Sequence, residues 1–193
     1  NIEENGKINF ASFVKLSSIP NPNKETIKRT VLSPDGKFLA VLFANRKNPG
    51  ASFRIKLFNI DYTNFSVQGD TCNVGYKLIS NEELQKNNIL GVAFSSKNNL
   101  MATFADSSVT LWNTSGQFLN NFETGQKEIK NVAFRPDGKQ LAIVGRDSNV
   151  QQWQIETEQD GQGQVTKIKN VDQNNSFSTP QTIIYNVVYN RDG

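Results

Sequence analysis

The chain has 193 residues, 36% of them hydrophobic, with a formal net charge of +3 and a pI near 9.0. That charge is far below the dense Lys/Arg clustering of a nucleic-acid binder, so no nucleic acid is expected as a partner, and no run of about 18 apolar residues offers a membrane span. With no His and a single Cys, Cys72, the chain has no Ser-His-Asp or Cys-His nucleophile, no histidine or multi-cysteine metal site and no internal disulfide framework.

Taken in chain order, residues 8–19 (INFASFVKLSSI) alternate in polarity and predict a strand. A Pro/Asn linker follows at 21–25. The segment TVLSPDGKFLA at 30–40 then reads as a strand, a tight Pro-Asp-Gly turn and the start of an apolar strand, FLAVLF at 38–43. Pro presets φ, Asp bonds back to the backbone and Gly accepts positive φ. An enlarged loop (residues 45–52) precedes FRIKLFN at 53–59, and the polar stretch 61–73 reads as an insertion. SNEELQKNN at 80–88 predicts a single helical turn with Ser80 as cap and Glu83 three residues on.

The same order then repeats. VAFSSKNNLMA at 92–102 is followed by SVTLWN at 108–113 and by GQFLNNF at 116–122. VAFRPDGKQLA at 132–142 is followed by NVQQWQ at 149–154, and VVYNRDG closes the chain at 187–193. Lys97 and Asp137 occupy the same turn position 40 residues apart, and Trp112 and Trp153 are 41 apart. Two markers in step at this period predict repeated four-stranded units of about 40–45 residues. Polar segments 156–164 and 172–182 read as further insertions, the first as a solvated loop.

These residues resemble the WD-repeat family of β-propellers. The resemblance rests on VAFRPDGKQLA with Asp147 and Trp153, and on VAFSSKNNLMA with Asp106 and Trp112. It implies an all-β propeller of four-stranded blades, about three blades plus partial terminal strands. The outer strand of a preceding blade falls at 8–19, blades fall at 27–79, 89–122 and 129–171, and the first strand of a further blade at 183–193. Asp106, Trp112, Asp147 and Trp153 are the implied turn and strand anchors. The family's Gly-His pair is missing, Asn113 and Gln154 replace the Asp after Trp, and Phe58 replaces the first Trp. This marks a divergent member that leans on packing.

Three blades do not close a ring that ordinarily needs 4–8. The chain is therefore expected to be part of a longer protein, its remaining blades supplied by that chain or by a second copy. Gly36-Lys37 and Gly138-Lys139 belong to strand turns, Gly161-Gln162-Gly163 lacks a dinucleotide fingerprint, and sequons at Asn64, Asn113 and Asn174 are those chance supplies.

Function is then expected from surface recognition, with no cofactor and no metal. Aligned to the family, one face places Lys28, Leu90, Lys130 and Tyr185 at the starts of inner strands, with Arg46, Lys47 and Arg146 in the loops beside them. Cationic residues dominate this set, which predicts a protein partner with an acidic segment, anchored on Leu90 and Tyr185. A non-catalytic, cytoplasmic protein–protein interaction scaffold or sensor module is the reading that follows. The alternative is the accessory propeller of an oligopeptidase-like enzyme whose catalytic domain lies outside these residues.

Overall fold

The computed structural model describes residues 13–16, 26–44, 53–68, 71–79, 89–180, 183–190 and 192. Among them every regular element is a β-strand, and the strands form three sheets. The first contains β1 (Phe13–Leu16), β2 (Thr26–Leu32), β3 (Phe38–Ala44), β4 (Phe53–Gln68) and β5 (Thr71–Ile79), in the order β1-β5-β4-β3-β2. The second is the meander β6 (Gly91–Phe94), β7 (Leu100–Phe104), β8 (Ser108–Asn113) and β9 (Phe118–Glu123). The third repeats it with β10 (Asn131–Phe134), β11 (Gln140–Val144), β12 (Asn149–Gln159) and β13 (Val165–Ser178). All-β blades of the expected kind are therefore present, three in number.

The strand period explains how they stack. In β7, Leu100, Ala102 and Phe104 turn toward the third sheet, while Met101 turns toward the first. One apolar seam thus joins Ala40, Leu42, Ile55 and Leu57 to Met101 and Trp112. A second joins Leu100, Leu111 and Val109 to Leu141, Ile143 and Trp153. Each such side chain removed from water contributes about 1.5–3 kcal/mol, which is why a near-continuous apolar second strand recurs in every blade. A third cluster, Leu39, Val41, Phe43, Phe58 and Ile60, occupies the other face of the first sheet.

The turns behave as their chemistry requires. Gly36 and Gly138 adopt φ of 74° and 72°, and the Asp35 and Asp137 carboxylates accept the N–H groups of Lys37 and Lys139 at 3.1 and 2.9 Å. The second blade has no glycine there and uses Asn98 and Asn99 at φ 66° and 48°, a conformation Asn tolerates better than most residues. Asn113 is buried, and its Oδ1 accepts the Gln117 N–H and the Ser115 hydroxyl, bracing the β8–β9 turn.

Three stretches differ from expectation. Segment 61–73 is taken up in strands: β4 and β5 pair across it to Gln68↔Thr71 after a register shift between Asp61 and Phe65. Segments 156–164 and 172–182 likewise belong mostly to one long hairpin, paired out to Asn149↔Ser178 and turning only over residues 160–164. Asp160 Oδ1 caps that turn by accepting N–H groups of Gln162 and Gln164, each at 2.9 Å. Ladder pairing is a backbone property, so a hairpin wetted on both faces forms without the apolar alternation that betrays a half-buried strand. The β12–β13 ladder carries register shifts at Gln152/Trp153, Glu156/Thr157 and Glu158/Gln159.

The strand expected to finish a preceding blade, described over 13–16, instead lies parallel to β5 as the outermost strand of the first sheet. Residues 183–190 form no ladder. They run beside the third sheet, with the Ile184 N–H on Gly145 O at 3.1 Å, Asn131 Nδ2 on Asn186 Oδ1 at 2.7 Å and Tyr189 Oη on Gln140 Oε1 at 3.4 Å. The helical turn expected at 80–88 and the enlarged loop at 45–52 lie outside the described residues.

Candidate functional site

The residues that precede the inner strands gather at one end of the blades. Leu90 hands its N–H to Phe104 O at 2.8 Å, and Lys130 does the same to Val144 O at 2.8 Å. Both sit just ahead of β6 and β10 and line one open cleft of about 520 Å³, together with Asp106, Ser107, Lys127 and Glu128. Leu90 is 37% exposed, an aliphatic patch on an otherwise polar wall.

Glu128 organises the charges. Its Oε2 accepts Lys130 Nζ and its Oε1 accepts Arg146 Nη1, each at 2.9 Å. Hydrogen bonds from Lys130 and then Arg146, followed by their charges, hold the Glu128 carboxyl below its ordinary value. Two cations of the expected face are thus drawn together, and one carboxylate takes up both. Tyr185, 69% exposed, follows Ile184 and so lies by the Gly145–Arg146 corner. Lys28 is exposed in β2, where the pairing shifts between Ile27 and Arg29. Arg46 and Lys47 lie outside the described residues.

Beneath the cleft is a polar bracket. Asp147 Oδ2 accepts the Lys127 N–H at 2.7 Å, tying the β11–β12 turn to the segment entering β10. Arg146 N closes the same corner on Lys127 O at 3.0 Å. Asp106 contributes differently: its backbone carbonyl accepts the Ile129 N–H at 2.9 Å, and its exposed side chain faces the cleft. Trp112 donates Nε1–H to Thr103 Oγ1 and Trp153 donates to Gln151 Oε1, both at 2.9 Å and both buried.

Gln126 was not legible as a site residue and proves central. It is buried at 1% exposure, and its Nε2 reaches Asn149 O at 2.7 Å and Ile143 O at 3.4 Å. It therefore ties the segment ahead of β10 to β11 and to the start of β12. The Gly125-Gln126 dipeptide ahead of the inner strand was the available signal. Among the described residues no group of three or more His, Cys, Asp or Glu side chains is placed to hold a metal ion.

The WD40 domain family of anaphase-promoting complex subunit 4 matches residues 92–178, the second and third blades. The crystal structure of Sqt1 from Chaetomium thermophilum aligns with 67% of this chain and 30% of its own, at 19% identity and a TM-score of 0.50. A chain in the crystal structure of an active polycomb repressive complex 2 in the basal state aligns with 89% of this chain and 34% of its own, at 14% identity and a TM-score of 0.56. The chain thus spans only 30–34% of the length of these structures, and at such identities they bear on fold alone. No curated protein matches the chain. One five-stranded and two four-stranded sheets stacked face to face, with Trp112 and Trp153 buried, thus give this chain the fold of WD-type β-propeller blades, and its residues 92–178 match a WD40 domain family.

Proposed function

We propose that the chain is a non-enzymatic protein-interaction platform, three blades of a propeller completed by a longer chain or a second copy. The observation that carries this reading is the cleft of Leu90, Asp106, Glu128 and Lys130, built at the junction of two blades that are themselves rigidly joined. A rigid scaffold holding an aliphatic anchor among charged groups suits recognition of a polypeptide, because little ordering is needed on binding. A single thiol and a cytoplasmic setting go together with this reading.

Glu128 changes the expected partner. With Lys130 and Arg146 both committed to it, the cleft no longer favours an acidic segment. A segment placing one apolar side chain on Leu90, flanked by mixed charge, fits better. Selection of displayed peptides on the 193-residue chain tests this. Enriched peptides should carry an apolar residue and lose binding to a folded Leu90→Asp variant. Failure to enrich, or peptides indifferent to that substitution, would sink the reading.

A further inference from the structure

The opposite end of the same blades holds a larger groove, of about 790 Å³, that the alignment to the family did not single out. Its walls come from three places: the β6–β7 turn, the β10–β11 turn and the long β12–β13 hairpin. They are tied to one another. Ser96 Oγ donates to Pro136 O at 2.9 Å, joining the two turns. Gln159 Nε2 donates to Asn98 Oδ1 at 3.0 Å, and Gln164 Nε2 to Ser115 Oγ at 3.2 Å, joining the hairpin to the second blade. Gly138 lets the turns close, since a Cβ there would meet Asn98 Nδ2 at 2.7 Å and Ser95 Oγ at 2.8 Å.

Each wall contributes one lysine: Lys97, Lys139 and Lys169, all exposed. Among the described residues none of the three is in an ion pair. The carboxylates nearby do not balance them. Asp137 is already engaged, with Oδ1 on the Lys139 N–H at 2.9 Å and Oδ2 at 3.7 Å from Arg135 Nε. Glu156 alone is left. Three ammonium groups outside any described ion pair thus line a groove with two carboxylates, one of them already engaged, which leaves an excess of positive charge on walls that are tied together before anything binds.

We infer that this groove is a docking site for an acidic, extended polypeptide segment. In an extended chain every second side chain points the same way, about 7 Å apart, so successive carboxylates can reach cations presented by separate elements. The amides of Gln154 and Asn98 suit a peptide backbone. A nucleic-acid strand is less well served, because the groove has no aromatic lining on which bases could stack. The site is independent of the Leu90 cleft, at the other end of the strands.

The test is fluorescence anisotropy with labelled hexaglutamate, hexalysine and an oligothymidylate as probes on the 193-residue chain. Hexaglutamate should bind, and binding should weaken as salt rises from about 0.05 to 0.5 M and shortens the screening length. A triple Lys97→Gln, Lys139→Gln, Lys169→Gln variant should bind hexaglutamate roughly tenfold more weakly, the scale that three exposed ion pairs reach together. Lys77→Gln, exposed in β5 of the first sheet, should leave hexaglutamate binding unchanged. Thermal melting confirms that each variant is folded, and single Lys→Gln variants stand in should the triple one not be. The inference is overturned by absence of hexaglutamate binding, by equal binding of hexalysine, by tighter binding of the oligothymidylate, or by affinity that survives in the folded lysine variants.

Discussion

Gly145 and Gln126 meet so closely that a Cβ added to Gly145 would stand 2.8 Å from Gln126 Oε1. The same atom would lie 2.8 Å from Lys127 O and 3.1 Å from Glu128 O, and backbone cannot step aside. Gly145→Ala should therefore destabilise the chain by about 1–3 kcal/mol. Gly161→Ala, where nothing lies within 4 Å, should leave the urea midpoint nearly unchanged. Equal midpoints for the two variants would contradict the contact.

The buried bond from Trp112 Nε1 to Thr103 Oγ1, at 2.9 Å, makes a second prediction. Thr103→Val keeps the shape and strips the acceptor, leaving an indole N–H unpaired in the interior at a cost of about 1–3 kcal/mol. Calorimetric melting would register this. Thr30→Val, on the exposed face of β2, is the control expected to stay within about 0.5 kcal/mol of the parent.

Acid should reach Glu128 late. Its carboxyl is held below the ordinary glutamate value by Lys130 and then Arg146, so the contribution of this cluster is fully present above that ordinary value and is lost as pH falls through the lowered folded one. A carbon-detected NMR titration should show Glu128 protonating below the ordinary glutamate range. Lys130→Met should move Glu128 back upward. No movement would mean that the 2.9 Å contact is absent in solution.

A fourth prediction comes from comparing ladder slots. Opposite Ala40 stands Leu57, opposite Ala102 stands Leu111, and opposite Ala142 stands Gln152. The first two leucines are buried in seams between blades, whereas Gln152 is half-buried on the open side of the third sheet. Gln140 and Gln154 flank it, hydrogen-bonded to each other at 3.3 Å. Replacing Gln152 and Gln140 together by Leu should create an apolar patch and raise the molar mass seen by light scattering at a given concentration. An unchanged mass would show that residues 183–190 already shield this side.

How much of this was legible beforehand follows from which physics left a mark on the sequence. The blades were readable because VAFRPDGKQLA combines strand alternation, turn chemistry and an apolar second strand, and because Trp112 and Trp153 recur in step with it. The long hairpin was not, since ladder residues such as Asp172 and Asn175 are exposed and polar and carry no buried face. Glu128 escaped for another reason. Its partner Arg146 is 18 residues away and reaches it only once the Asp147 turn has closed on Lys127. Cationic side chains can be counted in a sequence, but whether a carboxylate neutralises them is decided by the fold.

The register shifts along β12 and β13 bear on a hazard that a strand of 14 residues would otherwise bring. A long, flat border of unpaired amides and carbonyls is a template on which another chain can crystallise into fibrils. Three dislocations within eight residues of β12 bend and twist that border, so no straight run of it offers a matching comb to an incoming strand. Lys167 and Lys169 add charge along it. The hairpin can thus project far into solvent, carrying its part of the lysine groove, without becoming a seed for self-assembly.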